Sequence, residues 1–149
     1  MKLGFASDHR GYKLKEYLID YFKDKYEIVD YGTNSEESVD YPDYAFKLGE
    51  AVVRKDVDFG VAICGSGIGI SIACNKVDGI RCAKVSSEEE AMYTRNDNNS
   101  NIVAFGENTS KEEAIKIINK FIETDFSNLE KHQRRINKIS KYEEGTYER

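Results

Sequence analysis

The sequence contains no tryptophan, one proline, two histidines and three cysteines. An odd number of cysteines without regular spacing argues against a disulfide framework, so we expect a reducing, cytoplasmic location. No CxxC or HxxxH pair is present, which argues against zinc, and no metal is expected. No run of about 18 apolar residues occurs, so no membrane span is predicted. The net charge of −5 argues against general nucleic-acid binding, although it still allows a local basic pocket for a phosphate.

Strand-like and helix-like segments alternate along the whole chain, and residues 1–149 are predicted to form one domain. Such alternation is typical of an α/β fold in which a parallel sheet is covered by helices on both faces. The predicted strands span 3–6, 27–31, 59–63, 80–85 and 101–105. The predicted helices span 8–23, 42–54, 67–75 and 87–95, with one more after Ser110 and a charged C-terminal helix over 129–142.

The segment VAICGSGIG, residues 61–69, combines an apolar strand, a cysteine and a glycine-rich turn that opens a helix. Backbone N–H groups and the positive end of the helix dipole at such a turn attract an anion. The same positive electrostatic field favours thiolate over thiol. Cys64 is therefore a candidate base near neutral pH. A buried cysteine beside a packing loop is the alternative. The GxGxG spacing matches neither the dinucleotide nor the Walker pattern, so nucleotide binding is not predicted.

Polar residues follow several predicted strands, and ligands of parallel sheets bind beyond the carboxyl ends of the strands. Asp8 and His9 follow the first strand, and Cys64 ends the third. We expect the polar segment 94–101, before the fifth strand, to contribute to the same place. Helix capping by Asp8, a surface position for His9 and an ordinary asparagine-rich turn are the structural alternatives.

Taken together, these residues make the chain resemble the ribose-5-phosphate isomerase B family, which includes the galactose-6-phosphate isomerase subunits. The resemblance covers nearly the whole length. It is carried by SDHRGYKLK (7–15), VDYPD (39–43), ICGSGIGISIA (63–73), NKVDGIR (75–81), NIVAFG (101–106) and KHQRRI (131–136).

This resemblance implies a Rossmann-like three-layer sandwich with an extra C-terminal helix, no cofactor, and a homodimer that can pair into a tetramer. It implies isomerisation of a sugar phosphate, typically ribose 5-phosphate to ribulose 5-phosphate, with Cys64 shuttling the proton. Basic residues of the C-terminal helix would reach the site of the other subunit. The implied catalytic residues are Cys64, Ser66 and Asp97; the implied substrate-binding residues are Asp8, His9, Tyr41, Gly65, Gly67, Ile68, Gly69, Asn98, Asn108, Lys131 and Arg135.

Three features of the sequence depart from the family pattern. Asp97 stands where the family usually has a ring-opening histidine, and Glu107 and Asn108 stand where a basic residue is usual. Lys131 replaces one of two arginines, while Arg135 is retained; lysine keeps the charge but loses the two-pronged fit to phosphate. These departures leave two alternatives open: a subunit of a galactose-6-phosphate-type isomerase, and a catalytically silent sugar-phosphate-binding paralogue.

Overall fold

The computed structural model describes residues 1–149 as one five-stranded, all-parallel sheet and six helices. The strands are β1 Lys2–Ser7, β2 Glu27–Asp30, β3 Phe59–Cys64, β4 Cys82–Lys84 and β5 Ile102–Gly106. The helices are α1 Tyr12–Phe22, α2 Tyr41–Val53, α3 Ile68–Cys74, α4 Glu88–Asn98, α5 Lys111–Glu123 and α6 Glu130–Glu144. The strand order is β2-β1-β3-β5-β4. The predicted α/β sandwich is confirmed.

Two apolar clusters hold the layers together, one on each face of the sheet. Phe5, Ile63 and Phe105 project toward α1 and α5 in the first cluster. Leu48 of α2 lies in the second, where strand glycines at positions 4 and 60 let its methyl groups approach the backbone. A Cβ atom on either glycine would come within 3.0 Å of Leu48, so only glycine fits under this helix without movement.

Helix ends follow the local sequence. Ser110 caps α5 by accepting a hydrogen bond from the backbone N–H of Glu113 at 3.1 Å, as the Ser-x-x-Glu pattern predicts. Ser87 caps α4 in the same way, accepting from the N–H of Glu90 at 3.2 Å. No helix in the structure combines the length and the apolar character needed to cross a membrane.

Two helix boundaries differ from the prediction. The first helix begins at Tyr12 and not at Asp8, because residues 8–11 form a turn around the Asp8 carboxylate. The fourth helix continues through Asn98 and does not end at Arg95. Asn99 ends it in the left-handed conformation (φ 47°), and its side chain accepts a hydrogen bond from Arg95 at 2.9 Å.

Candidate active site

Cys64 ends β3 at the carboxyl edge of the sheet and lies at the floor of a cavity of about 500 Å³. Its side chain is 4% exposed, and its Sγ accepts a hydrogen bond from the backbone N–H of Gly67 at 3.2 Å. We call this space the Cys64 cavity; its lining is Asp8, His9, Arg10, Tyr41, Cys64, Gly65, Ser66 and Gly69.

The glycine loop between β3 and α3 wraps around this sulfur. Gly67 adopts φ 79°, and a Cβ there would lie 2.6 Å from the backbone carbon of Phe105, so the loop conformation requires glycine. The Ser66 hydroxyl accepts a hydrogen bond from the N–H of Ile68 at 3.1 Å. The backbone N–H groups of Gly65, Ser66 and Gly69 donate to no acceptor within the chain. The loop therefore offers several amide donors beside one thiol, the arrangement that stabilises a developing oxyanion.

Asp8 and His9 form the opposite wall. One oxygen of the Asp8 carboxylate accepts hydrogen bonds from the N–H groups of Arg10 and Gly11, at 3.0 and 3.1 Å. His9 Nδ1 accepts a hydrogen bond from the N–H of Val39 at 3.2 Å, which leaves Nε2 as the hydrogen-bond donor of a neutral ring. Both side chains are thus held by backbone contacts and are not merely surface residues.

Tyr41 closes the cavity from the first turn of α2. Its ring lies so close to Gly69 that a Cβ there would come within 2.7 Å of Tyr41 Cζ. The tyrosine side chain is 37% exposed, so it lies at the cavity rim. Pro42 follows in that turn, where a proline suits a helix start.

Asn108 lies on the other side of the glycine loop. It lines a second, polar cavity of about 510 Å³ that shares Gly65 and Ser66 with the Cys64 cavity and also contains Lys84. A lysine therefore approaches the loop from β4, although the position after β5 holds Glu107.

The prediction that segment 94–101 lies beside Cys64 in the same chain is wrong. The Asn98 carbonyl accepts a hydrogen bond from Arg81 Nε at 2.8 Å, and Arg81 directly precedes β4 at the amino edge of the sheet. The reason is that α4 runs back antiparallel to the strands, so its end returns to the edge from which they start. Asp97 and Asn98 are thus separated from Cys64 by most of the length of β3. The four residue steps from Gly60 to Cys64 span about 13 Å.

Lys131 and Arg135 lie with Asp97 at that amino edge. Both are exposed on α6, one helical turn apart, and neither makes an ion pair within the chain. The imidazole of His132, between them, lies against Asp97, with Nε2 3.5 Å from Oδ1. Burial lowers the pKa of the neighbouring Arg81 guanidinium, which nevertheless stays charged near neutral pH.

The predicted site residues therefore form two groups. One group surrounds Cys64, and the second consists of Asp97, Asn98, Lys131 and Arg135 at the opposite edge. Large apolar side chains are exposed beside the first group: Ile68 is 55% exposed and Ile72 57%, one turn apart on α3.

Comparison with known proteins identifies the family. The model of the ribose/galactose isomerase family matches residues 3–139. The chain belongs to the ribose/galactose isomerase family. Ribose-5-phosphate isomerase B of Escherichia coli is 37% identical over 145 residues, covering 96% of this chain and 97% of that protein.

Solved structures of ribose/galactose isomerases match over nearly the full length. Ribose-5-phosphate isomerase B of Clostridium thermocellum superposes with a TM-score of 0.94 at 42% identity, covering 97% of this chain and 99% of the other. The Mycoplasma genitalium enzyme with bound ribulose-5-phosphate gives a TM-score of 0.89 at 38% identity, covering 96% of each chain. These matches confirm the predicted family resemblance, and as a family member the chain is an isomerase.

Sequence reasoning missed one side chain of the Cys64 cavity. Arg10 passes over Gly65, where a Cβ would lie 3.3 Å from its guanidinium carbon, and it forms an ion pair with Glu107. The signal was present in the sequence, since Arg10 follows Asp8 and His9 directly and Glu107 follows β5. The ion pair was not predictable, because it joins residues that are 97 positions apart.

Proposed function

We propose that this isomerase interconverts ribose 5-phosphate and ribulose 5-phosphate through an enediolate, with Cys64 as the base. The observation that carries the proposal is the Cys64 sulfur, on the floor of an open cavity and within a loop of amide donors. In the forward direction the thiolate removes the proton from C2 of the open-chain aldose. The resulting thiol then delivers a proton to C1, while the hydroxyl proton of the C2 oxygen passes to the C1 oxygen, so that the carbonyl moves from C1 to C2.

The glycine loop supplies the electrostatic part of this chemistry. Negative charge accumulates on the two enediolate oxygens, and the N–H groups of Gly65, Ser66 and Gly69 have no competing acceptor in the chain. Preorganised donors of this kind contribute roughly 3–4 kcal/mol each to the transition state. Asp8, His9 and Tyr41 are suited to bind the sugar hydroxyls on the opposite wall of the Cys64 cavity.

We infer that a second copy of the chain binds the phosphate. Lys131 and Arg135 are two exposed cations one turn apart on α6, but they lie at the far edge from Cys64 in their own chain. A symmetric dimer brings the amino edge of one protomer against the Cys64 cavity of its partner, so that each site uses both chains. The exposed Ile68 and Ile72 beside the cavity support burial of this face in such a dimer.

Proton exchange tests the proposed base. Purified protein is incubated with ribose 5-phosphate in deuterated water, and deuterium at C2 of the recovered aldose is measured by mass spectrometry and NMR. We expect incorporation by the wild type and a loss of at least about 100-fold in Cys64→Ala, as for removal of a general base. Cys82→Ala is the matched control, since its thiol lies outside the Cys64 cavity.

The same assay with six-carbon aldose phosphates separates the alternative functions. Exchange with a six-carbon sugar and not with ribose 5-phosphate would favour the galactose-6-phosphate type. Saturable binding without exchange for any sugar would favour the silent paralogue and contradict the proposed reaction. Exchange that persists unchanged in Cys64→Ala would exclude Cys64 as the base.

A further inference from the structure

We propose that His132 is a second catalytic acid–base group of this enzyme and that it opens the sugar ring together with Asp97. The inference rests on the proposed isomerase function. It adds a residue, His132, and a step that precedes the proton transfer at Cys64.

Ring opening needs two proton transfers that one carboxylate performs poorly. Ribose 5-phosphate exists mainly as a ring, in which O4 is bonded to C1. To open it, the hydroxyl on C1 loses its proton, the C1–O4 bond breaks as the C1 carbonyl forms, and O4 gains a proton. An ionised carboxylate accepts the first proton, but it holds no proton of its own to give to O4 while the C1–O4 bond breaks. A histidine beside it supplies the second, because imidazole exchanges protons near neutral pH.

The structure holds such a pair in contact. His132 Nε2 lies 3.5 Å from Asp97 Oδ1, the one contact between an imidazole and a carboxylate in the chain. Asn96 Nδ2 donates a hydrogen bond to the same oxygen at 2.8 Å, while the other carboxylate oxygen accepts none. The Asp97 side chain is 37% exposed and that of His132 14%, so each side chain keeps some surface that a ligand can reach.

The position of His132 on its helix favours a carboxylate partner. It is the third residue of α6, a helix of 15 residues, where the helix dipole disfavours a positive charge. A negative carboxylate beside the imidazole offsets that field. After ring opening, the proton held by Asp97 returns to His132 across their contact, which restores both groups without any co-reactant.

The same helix carries the proposed phosphate-binding residues. Arg135 lies three positions after His132 and so shares its side of α6, while Lys131 precedes it. About one turn of helix separates Lys131 from Arg135, and His132 lies between them. A sugar phosphate bound to those cations thus has its ring near Asp97 and His132, and its open chain extends toward Cys64 of the partner subunit.

The test separates ring opening from proton transfer. Ribulose 5-phosphate is open-chain, because its C5 oxygen carries the phosphate and cannot close a five-membered ring. Deuterium exchange at C1 of this ketose in deuterated water therefore reports the Cys64 step alone. Conversion of ribose 5-phosphate to the ketose reports both steps.

The test variants are His132→Gln and Asp97→Asn. Glutamine keeps an N–H donor toward Asp97, and asparagine keeps an acceptor toward His132, but neither exchanges a proton. We expect each to convert ribose 5-phosphate at least about tenfold more slowly, within the range for general acid–base groups. Exchange at C1 of ribulose 5-phosphate stays within about twofold of the wild type. Gln133→Ala is the control, because that exposed side chain hydrogen-bonds to Asn137 and not to the proposed pair.

Other outcomes overturn the proposal. A parallel loss of both readouts in His132→Gln would show that His132 only holds α6 in place, and unchanged conversion would show that another group opens the ring. Absence of C1 exchange in the wild type itself would contradict the isomerase reaction, and the role of His132 with it. Thermal unfolding of each variant identifies any loss that comes from misfolding.

Discussion

At the scale of single residues, the site depends on glycines whose neighbours differ in freedom to move. A Cβ at position 67 would meet the Phe105 backbone at 2.6 Å, and φ there is 79°. A Cβ at position 69 would meet the Tyr41 ring, which lies on the cavity rim and is 37% exposed. The first contact is with fixed backbone and the second with a side chain that can rotate.

We therefore predict different effects for Gly67→Ala and Gly69→Ala, the first on stability and the second on KM. Gly67→Ala combines a backbone clash with a left-handed residue and should lower the free energy of unfolding by more than about 2 kcal/mol. Gly69→Ala should change it by less than about 1 kcal/mol, because alanine favours the helix that begins there. It should instead raise KM several-fold by displacing Tyr41.

Chemical denaturation and steady-state kinetics of the two variants check this pair. Equal stabilities for Gly67→Ala and the wild type would show that the loop can adopt another conformation. An unchanged KM in Gly69→Ala would show that Tyr41 does not contact the substrate.

Several placements could be predicted from the sequence at this scale and others could not. Cys64, Asp8 and Tyr41 lie at positions fixed by local motifs, and they meet at one cavity as predicted. The pairing of Arg10 with Glu107 depends on how β1 and β5 are arranged in the sheet, which no local pattern specifies. The His132–Asp97 contact likewise depends on the packing of α6 against α4.

At the scale of helices and strands, two hydrogen bonds join the end of α3 to the start of β4, next to two thiols. The Asn75 amide donates to the Cys82 carbonyl at 2.9 Å and accepts from the Cys82 N–H at 2.8 Å. The neighbouring Cys74 is buried at the end of α3. The hydrogen bond with Cys74, together with burial, raises the pKa of the Cys82 thiol well above its usual range.

A pH dependence of stability follows from the raised pKa of Cys82. An unfolded thiol loses its proton near pH 8.5, while the folded thiol keeps it. Above that pH the native state binds more protons than the unfolded state, so the free energy of unfolding falls, by at most about 1.4 kcal/mol per pH unit. Below pH 8.5 this contribution is fully present.

Urea denaturation between pH 7.5 and 10 measures this fall in stability. Cys82→Ala should show a shallower decline than the wild type, and Cys74→Ala should also be shallower because it removes the hydrogen bond. Parallel curves for the wild type and Cys82→Ala would contradict the prediction.

The boundaries of strands and helices show which parts of the sequence pattern predict structure well. The apolar runs of β1, β3 and β5 predict strands within one or two residues, because burial on both faces leaves no other interpretation. The asparagine-rich end of α4 has low helix propensity, yet it stays helical through Asn98 because Arg95 is buried beneath it. Arg95 Nη1 donates to the Ser100 carbonyl at 2.6 Å and to the Asn99 side chain.

At the scale of the whole molecule, the predicted site residues lie in two groups at opposite edges of one sheet, the two half-sites of the proposed shared site. The direction of α4 explains why: any helix that follows a strand of a parallel sheet returns its end to the amino edge. The sequence motifs predict which residues belong to the site but not that they lie in two groups, and a single chain cannot join the groups across the length of a strand. Symmetric pairing of two chains is the simplest arrangement that does so, and it yields two sites per dimer.

Complementation between inactive variants tests this shared site. Cys64→Ala is defective in one half-site, and the double variant Lys131→Ala, Arg135→Ala in the other. In a heterodimer of the two, one site carries both defects and the other carries neither. Heterodimers isolated through two different affinity tags should therefore recover about half the wild-type activity per dimer.

A heterodimer of Cys64→Ala with Asp8→Ala is the matched control, because both defects lie in the same half-site. Each of its two sites then contains one defect, and it should stay as inactive as its parents. Recovery in the first heterodimer and not in the second requires that residues of two chains form each site. No recovery in the first, with both heterodimers intact by light scattering, would mean that α6 acts within its own chain.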